Sequence, residues 1–297
     1  MPHGLQATID QGHDTLSLAH AKGQRLVRRV LMNRRELARL RDSAPRPAGP
    51  ALAAALRRVR DRVLDPEERA AVERIEALRA RQNRSAETVE VPLDLDRDPA
   101  HAGQVETRVV GDISRVASRS PMSARVLFQV ARGLRPERAL EMGTCLGISA
   151  AYVGAALDLN GQGRLVTLEG VPGQARIAGE NLRGLGLADR VEIVLGSFQE
   201  TLGRALEAAA PLQFAFIDGD HREDATLAYH EQMLPHLSEG AVVVFDDIRW
   251  SHGMVRAWSR LIGHPRTRFA VDLYNMGLCV VGDRRPGSSE VYRLALE

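Results

Sequence analysis

Apolar residues change their spacing along the chain. Leu26, Val30, Leu37 and Leu40 recur on one helical face and predict a helix over about residues 15–42. Ser43-Ala44-Pro45-Arg46-Pro47 breaks it, and a second helix is expected from Pro50 to Val63. Asp65-Pro66-Glu67-Glu68 then offers an N-cap, a proline at the first helical position and a glutamate three residues after the cap. Val72, Ile75 and Leu78 give this third helix its apolar stripe. The stretch from Ala86 to about Gln104 is acidic and turn-rich, with Pro92, Asp94, Asp96, Asp98 and Pro99. A boundary is placed there, between a helical region 1–104, read as a lid or dimerisation element, and a second domain 105–297. Ser120-Pro121 opens a further helix through about Ala131.

From Arg138 the pattern becomes short apolar runs at 138–142, 164–168, 190–195, 213–217, 241–245, 267–274 and 278–282. Stretches long enough for helices separate the first five. Continuous apolar strands with helical crossovers mean a mostly parallel sheet covered on both faces. Only Asn275-Met276-Gly277 separates the last two runs, so they are expected to form an antiparallel hairpin. The predicted fold is α/β: a doubly wound, Rossmann-like sheet of seven strands, five parallel and two in the C-terminal hairpin, with an α-helical N-terminal extension.

Composition narrows the class. The 297 residues are 44% apolar and 26% charged, which suits a globular protein and excludes collagen-like or fully disordered chains. No run approaches the ~18 apolar residues of a membrane span, and Met1-Pro2-His3-Gly4 does not begin a signal peptide. Cys145 and Cys279 lie in apolar runs and read as buried thiols of a reducing, cytoplasmic compartment. Residues 1–90 hold 18 basic against 12 acidic residues, a net charge of +6, while the remainder is acidic. Lys22 is the only lysine, so a proton acceptor in the second part is not a lysine.

Ligands of such sheets sit beyond the carboxyl ends of the strands, where strand order reverses. The first run ends in Glu141-Met142-Gly143-Thr144-Cys145-Leu146-Gly147-Ile148-Ser149. Gly143 permits a tight turn, Gly147 is read as a place where a ligand approaches the backbone, and the following helix N-terminus can hold an anion. The second run leads to Glu169, placed to accept hydrogen bonds from two ribose hydroxyls. Ser197-Phe198 after the third run can flank an adenine; ordinary core packing of Phe198 is the alternative. The fourth and fifth runs end in Asp218-Gly219-Asp220-His221 and Asp246-Asp247. Asp218, Asp246 and Asp247 would repel one another without a divalent cation, an arginine or a proton. Oxygen-only ligands favour Mg²⁺ or a similar hard ion; otherwise Asp247 caps a helix and Asp218 bonds the ligand or a backbone amide.

These residues resemble class I S-adenosylmethionine-dependent methyltransferases and, within them, the catechol and caffeoyl-CoA O-methyltransferase group. The likeness covers about residues 115–282 and rests on LEMGTCLGISAAY, VTLEG, RVEIVLGSFQETL, FAFIDGDH and VVVFDDIRW, in order. The IDGDH and FDDIRW pair is similar to a bacterial branch. The resemblance implies that Glu141, Gly143 and Ser149 surround the methionine part of the cofactor, with Glu169 on the ribose and Ser197 and Phe198 by the adenine. Ser118 and Ser120 fall near the family's contact before the first strand. Asp218, Asp246 and Asp247 match three metal ligands, the third of which is usually asparagine. His221 stands where the catechol enzymes carry a lysine, and it can accept a proton or orient Asp218.

The expected activity is therefore S-adenosylmethionine-dependent O-methylation of a small-molecule hydroxyl, such as a catechol or vicinal diol, assisted by Mg²⁺ or another divalent cation, with His221 and Asp218 at the reaction centre. Trp250, His252 and Trp258 are candidates for the pocket wall. A homodimer is expected, with no membrane partner. One rival is a nucleic-acid methyltransferase using the basic N-terminal region. Its arginines alternate with acids and lack interleaved aromatics, which argues against it. The other rival is a non-catalytic protein that keeps the fold for association.

Overall fold

The computed structural model describes residues 33–45, 47–92, 103–283 and 290–295. The start of the first predicted helix, with Leu26 and Val30, and the acidic residues Asp94, Asp96 and Asp98 lie outside them. Helix α1 (33–43) and helices α2 (Ala48–Arg60) and α3 (Pro66–Gln82) follow the periodicity closely. The expected capping box opens α3: Asp65 Oδ1 accepts from Glu68 N at 2.9 Å and Glu68 Oε2 accepts from Asp65 N at 3.2 Å. The turn-rich stretch holds more order than expected, because strands β1 (Thr88–Pro92) and β2 (Val105–Val109) pair antiparallel across it. Val89 and Val91 are buried alternately with exposed neighbours, a period-2 signal only two residues deep. Helices α4 (Val110–Ala117) and α5 (Pro121–Leu134) lead into the main sheet.

That sheet comprises β3 (Arg138–Met142), β4 (Arg164–Glu169), β5 (Val191–Leu195), β6 (Leu212–Ile217), β7 (Leu237–Phe245), β8 (Thr267–Asp272), β9 (Gly277–Val281) and β10 (Val291–Arg293). The spatial order is β10-β8-β9-β7-β6-β3-β4-β5. Strands β3 to β7 run parallel, and β9 is antiparallel to both β7 and β8. The sheet has one strand more than the seven expected. Three residues of β10 pair parallel with β8, anchored by Tyr292, which is buried and packs edge-to-face on Phe269 at 5.9 Å. A three-residue run gives no period to read. The chain leaves β3 for β4 and β5 on one side and returns to β6 and β7 on the other. The crevice between β3 and β6 is thus the switch point where a ligand is expected.

The crossover helices are α6 (Ile148–Leu159), α7 (Pro172–Gly184), α8 (Phe198–Ala209), α9 (Glu223–Met233) and α10 (His252–Gly263). One core beneath the sheet gathers α8, α9 and α10 around Leu140, Ala215, Val243 and Phe245. The opposite core runs from Leu40, Leu56 and Ile75 through Phe128 and Tyr152 to Phe214 and Val244. The N-terminal helices therefore share a core with the sheet. No helix among the described residues is long and apolar enough to cross a membrane.

His230 on α9 is buried between the rings of Phe245 and His264, at 5.7 and 5.2 Å. Burial, aided by the neighbouring His264, pushes its pKa down from 6.5 to about 4. The unfolded chain takes up this proton at higher pH than the folded one, so stability falls as pH drops through that window. Denaturant titrations are expected to show a loss of about 2 kcal/mol between about pH 7 and pH 5 from this group. His230→Phe should flatten that slope; an unchanged slope would remove His230 from the account.

Candidate active site

Backbone pairing brings the strand ends together. Asp218 N donates to Met142 O at 2.9 Å, and Asp246 N donates to Ile217 O at 3.0 Å, so each carboxylate follows directly from the ladder. Among the described residues, six non-glycine residues have left-handed backbone, and four of them, Cys145, Asp220, Asp247 and Tyr274, lie in loops at this edge of the sheet. Such strain concentrates at functional sites.

Glu141 is fully buried at the end of β3. Its Oε2 accepts from Thr167 Oγ1 at 2.6 Å, and Ser149 also bonds its carboxyl. Burial raises its pKa to about 7 against those two hydrogen bonds, and its Oε1 has no protein partner. A buried, half-satisfied carboxyl is costly unless something else completes it. Gly143, at φ +99°, lies so close to β6 that a Cβ would stand 2.0 Å from Asp218 O. At Gly147 a Cβ would point at Ala178 of α7, at 3.2 Å. Close helix packing is one reason for glycine there, and the positive φ of +84° is a second.

Glu169 is buried, and its two oxygens accept from Cys145 N at 2.6 Å and Val171 N at 2.9 Å. Its carboxylate braces the loop after β3. Ser197 precedes α8 and donates to Glu200 through both its N and Oγ, at 3.1 and 2.8 Å. Phe198 stacks edge-to-face with Tyr229 at 5.7 Å and lies against Gly219 of the IDGDH loop. Ser120 caps α5, accepting from Ser123 N at 3.1 Å, and Ser118 ends α4. Trp258 belongs to the core, donating Nε1 to Asp272 Oδ2 at 3.2 Å, whereas Trp250 is 73% exposed.

Asp218, Asp246 and Asp247 do converge. The group between them is Arg119. Its Nη1 pairs with Asp246 Oδ2 and lies 3.4 Å from Asp247 Oδ1, while its Nε lies 3.5 Å from Asp218 Oδ2. Burial pushes both Asp218 and Asp246 upward, Asp218 to about 6. An arginine thus stands among the charges for which a divalent ion was expected. Among the described residues, no group of three or more His, Cys, Asp or Glu side chains has the arrangement to hold a metal ion. The donor set does not fit Mg²⁺ as it stands. His221 joins the cluster, its Nε2 3.6 Å from Asp218 Oδ1 and 3.8 Å from Asp247 Oδ2.

Arg119 escaped the reading of the sequence. It lies between the two serines noted before Pro121, and its only signal was the need of three carboxylates for a cation. Arg79 of α3 fixes its position, with Nη1 donating to Arg119 O at 2.6 Å. Glu76 holds Arg79 Nε at 3.0 Å and accepts from Tyr152 Oη at 2.7 Å. Asp220 and Tyr229 were missed as well; Tyr229 Oη donates to Asp220 Oδ2 at 3.0 Å and fixes the loop before α9.

Residues 140–248 match a family model described as a methyltransferase domain. The chain is 34% identical over 151 residues to a catechol O-methyltransferase of Mycobacterium tuberculosis (strain ATCC 25618 / H37Rv), covering 51% of this chain and 66% of that protein. It is 32% identical over 130 residues to a catechol O-methyltransferase of Niastella koreensis, covering 43% and 57%. The matches span about half to two-thirds of these relatives' lengths. The crystal structure of cofactor-bound Rv0187 from MTB is similar at 25% identity and TM-score 0.51, covering 74% of this chain and 92% of that one. An O-methyltransferase from Bacillus cereus in complex with SAH shares the fold at 23% identity and TM-score 0.51, with 77% and 97% covered. The fold is the Rossmann-like one of these methyltransferase structures, and the likeness to the family model lies in residues 140–248.

The close approach at Gly143 is testable by Gly143→Ala. Overpacking and backbone strain together are expected to cost about 3 kcal/mol or more. A wild-type melting temperature in this variant would show that the β3–β6 contact is not what the glycine serves.

Proposed function

We propose that this protein is an S-adenosylmethionine-dependent O-methyltransferase acting on a small-molecule hydroxyl, with catechol-like aromatics as candidate acceptors. The observation that carries this reading is Glu141 Oε1, a buried acceptor at the switch point without a protein donor. It fits the ammonium group of the cofactor's methionine part. When bound, S-adenosylmethionine supplies an electrophilic methyl group on a sulfonium.

The chain's own residues then divide the work. Glu141, steadied by Thr167 and Ser149, holds the ammonium. Each oxygen of Glu169 accepts one backbone N–H and keeps a lone pair for a ribose hydroxyl. Phe198, on Gly219, offers a flat face to the adenine. His221 is oriented by Asp218 and Asp247 and takes the proton from the acceptor hydroxyl. Arg119 stands among the carboxylates that would hold a divalent ion.

Among the described residues of the helical region, several arginines are already paired. Arg39, Arg58 and Arg79 there pair with Glu36, Glu68 and Glu76, which leaves them less free for phosphates.

Calorimetry with S-adenosylhomocysteine tests the cofactor site. Glu141→Ala is expected to weaken binding about tenfold or more, the worth of one charge-assisted hydrogen bond. Unchanged affinity would remove the observation on which the proposal stands. With the acceptor identified by mass-spectrometric screening, His221→Asn should lower kcat by about 10²- to 10⁴-fold at unchanged S-adenosylhomocysteine affinity. A wild-type kcat would assign the proton to another group.

A further inference from the structure

We propose that Arg119 is the built-in cation of this site, standing where a divalent ion would be expected, so that methyl transfer here needs no metal. The inference rests on the methyltransferase reading above and concerns how the site is charged. One guanidinium spans all three carboxylates, pairing with Asp246 and lying within 3.5 Å of oxygens of both Asp218 and Asp247. Asp246 is buried and Arg119 largely so, which makes their mutual attraction strong and their separation costly.

The arginine is also held from behind. Arg79 bonds its carbonyl, Ser120 immediately after it caps α5, and α4 ends just before it. Residues 118–120 are the whole joint between the two helices, so the backbone has little slack. A hard divalent ion needs carboxylate oxygens at about 2.0–2.6 Å around its centre. It would have to expel the guanidinium or sit within a few ångströms of it, against direct repulsion. With no ion to chelate, an acceptor has no need of two adjacent hydroxyls, and a single aromatic hydroxyl facing His221 suffices.

The experiment uses Mn²⁺ as the probe and the full-length protein, with free Mn²⁺ read by electron paramagnetic resonance. Wild type is expected to leave millimolar Mn²⁺ unbound, and its melting temperature should not respond to the ion. Arg119→Met, which keeps the bulk and removes the charge, is expected to bind Mn²⁺ at least about tenfold more tightly. The added substitution Asp246→Asn should abolish that gain. Stoichiometric Mn²⁺ binding by wild type that Asp246→Asn removes would overturn the proposal, whether or not Arg119→Met folds. So would a folded Arg119→Met that binds Mn²⁺ no better than wild type. S-adenosylhomocysteine affinity measured in excess chelator reports separately on the methyltransferase reading. If that binding is absent, the reading fails while the Mn²⁺ result still decides which cation the aspartates hold.

Discussion

Buried carboxylates at the carboxyl edge of the sheet are the constraint around which the rest of this structure is arranged. Glu141, Glu169, Asp218, Asp246, Asp247 and Asp272 all gather there, and most are removed from solvent. A charge in that setting needs its own compensation. Glu169 takes it from two backbone N–H groups. Asp272 is pushed up by burial, but hydrogen bonds from Arg249, Tyr274 N and Trp258 more than offset this and hold it below the usual range. The aspartate trio takes it from Arg119. Glu141 Oε1 has no protein hydrogen-bond partner, and the proposed cofactor site rests on that feature.

This distribution gives the N-terminal helices a place in the chemistry. Their apolar faces merge with the core above the sheet, and the polar relay Tyr152–Glu76–Arg79 ends on the carbonyl of Arg119. Helix α3 thereby helps set the position of the cation among the aspartates. A helical extension read only from its charge looks like a solvated face. Packed against α5 and α6, it supports the joint that carries Arg119.

Much of the fold was legible because its signals are local and repeated. Apolar runs at 138–142, 213–217 and 241–245 are strands, and Asp65 and Ser120 cap helices where the sequence places caps. The eighth strand was not legible, because Val291–Arg293 takes its structure from pairing with β8 and its burial from Phe269. In the site, residues at strand ends were readable since topology alone assembles them. Arg119 was not, because it arrives from a joint between helices far earlier in the chain. The packing of Gly147 against Ala178 was not legible, because that neighbour comes from another helix and leaves no local trace.

The central claim is that a protein cation, held in place by the helical region, balances the three aspartates. Crystals grown with S-adenosylhomocysteine and Mn²⁺, with anomalous diffraction collected at the manganese edge, test it most directly. The expected result is the Arg119 guanidinium between Asp218, Asp246 and Asp247 and no anomalous peak there. A manganese peak among those carboxylates, with Arg119 turned away, would contradict it.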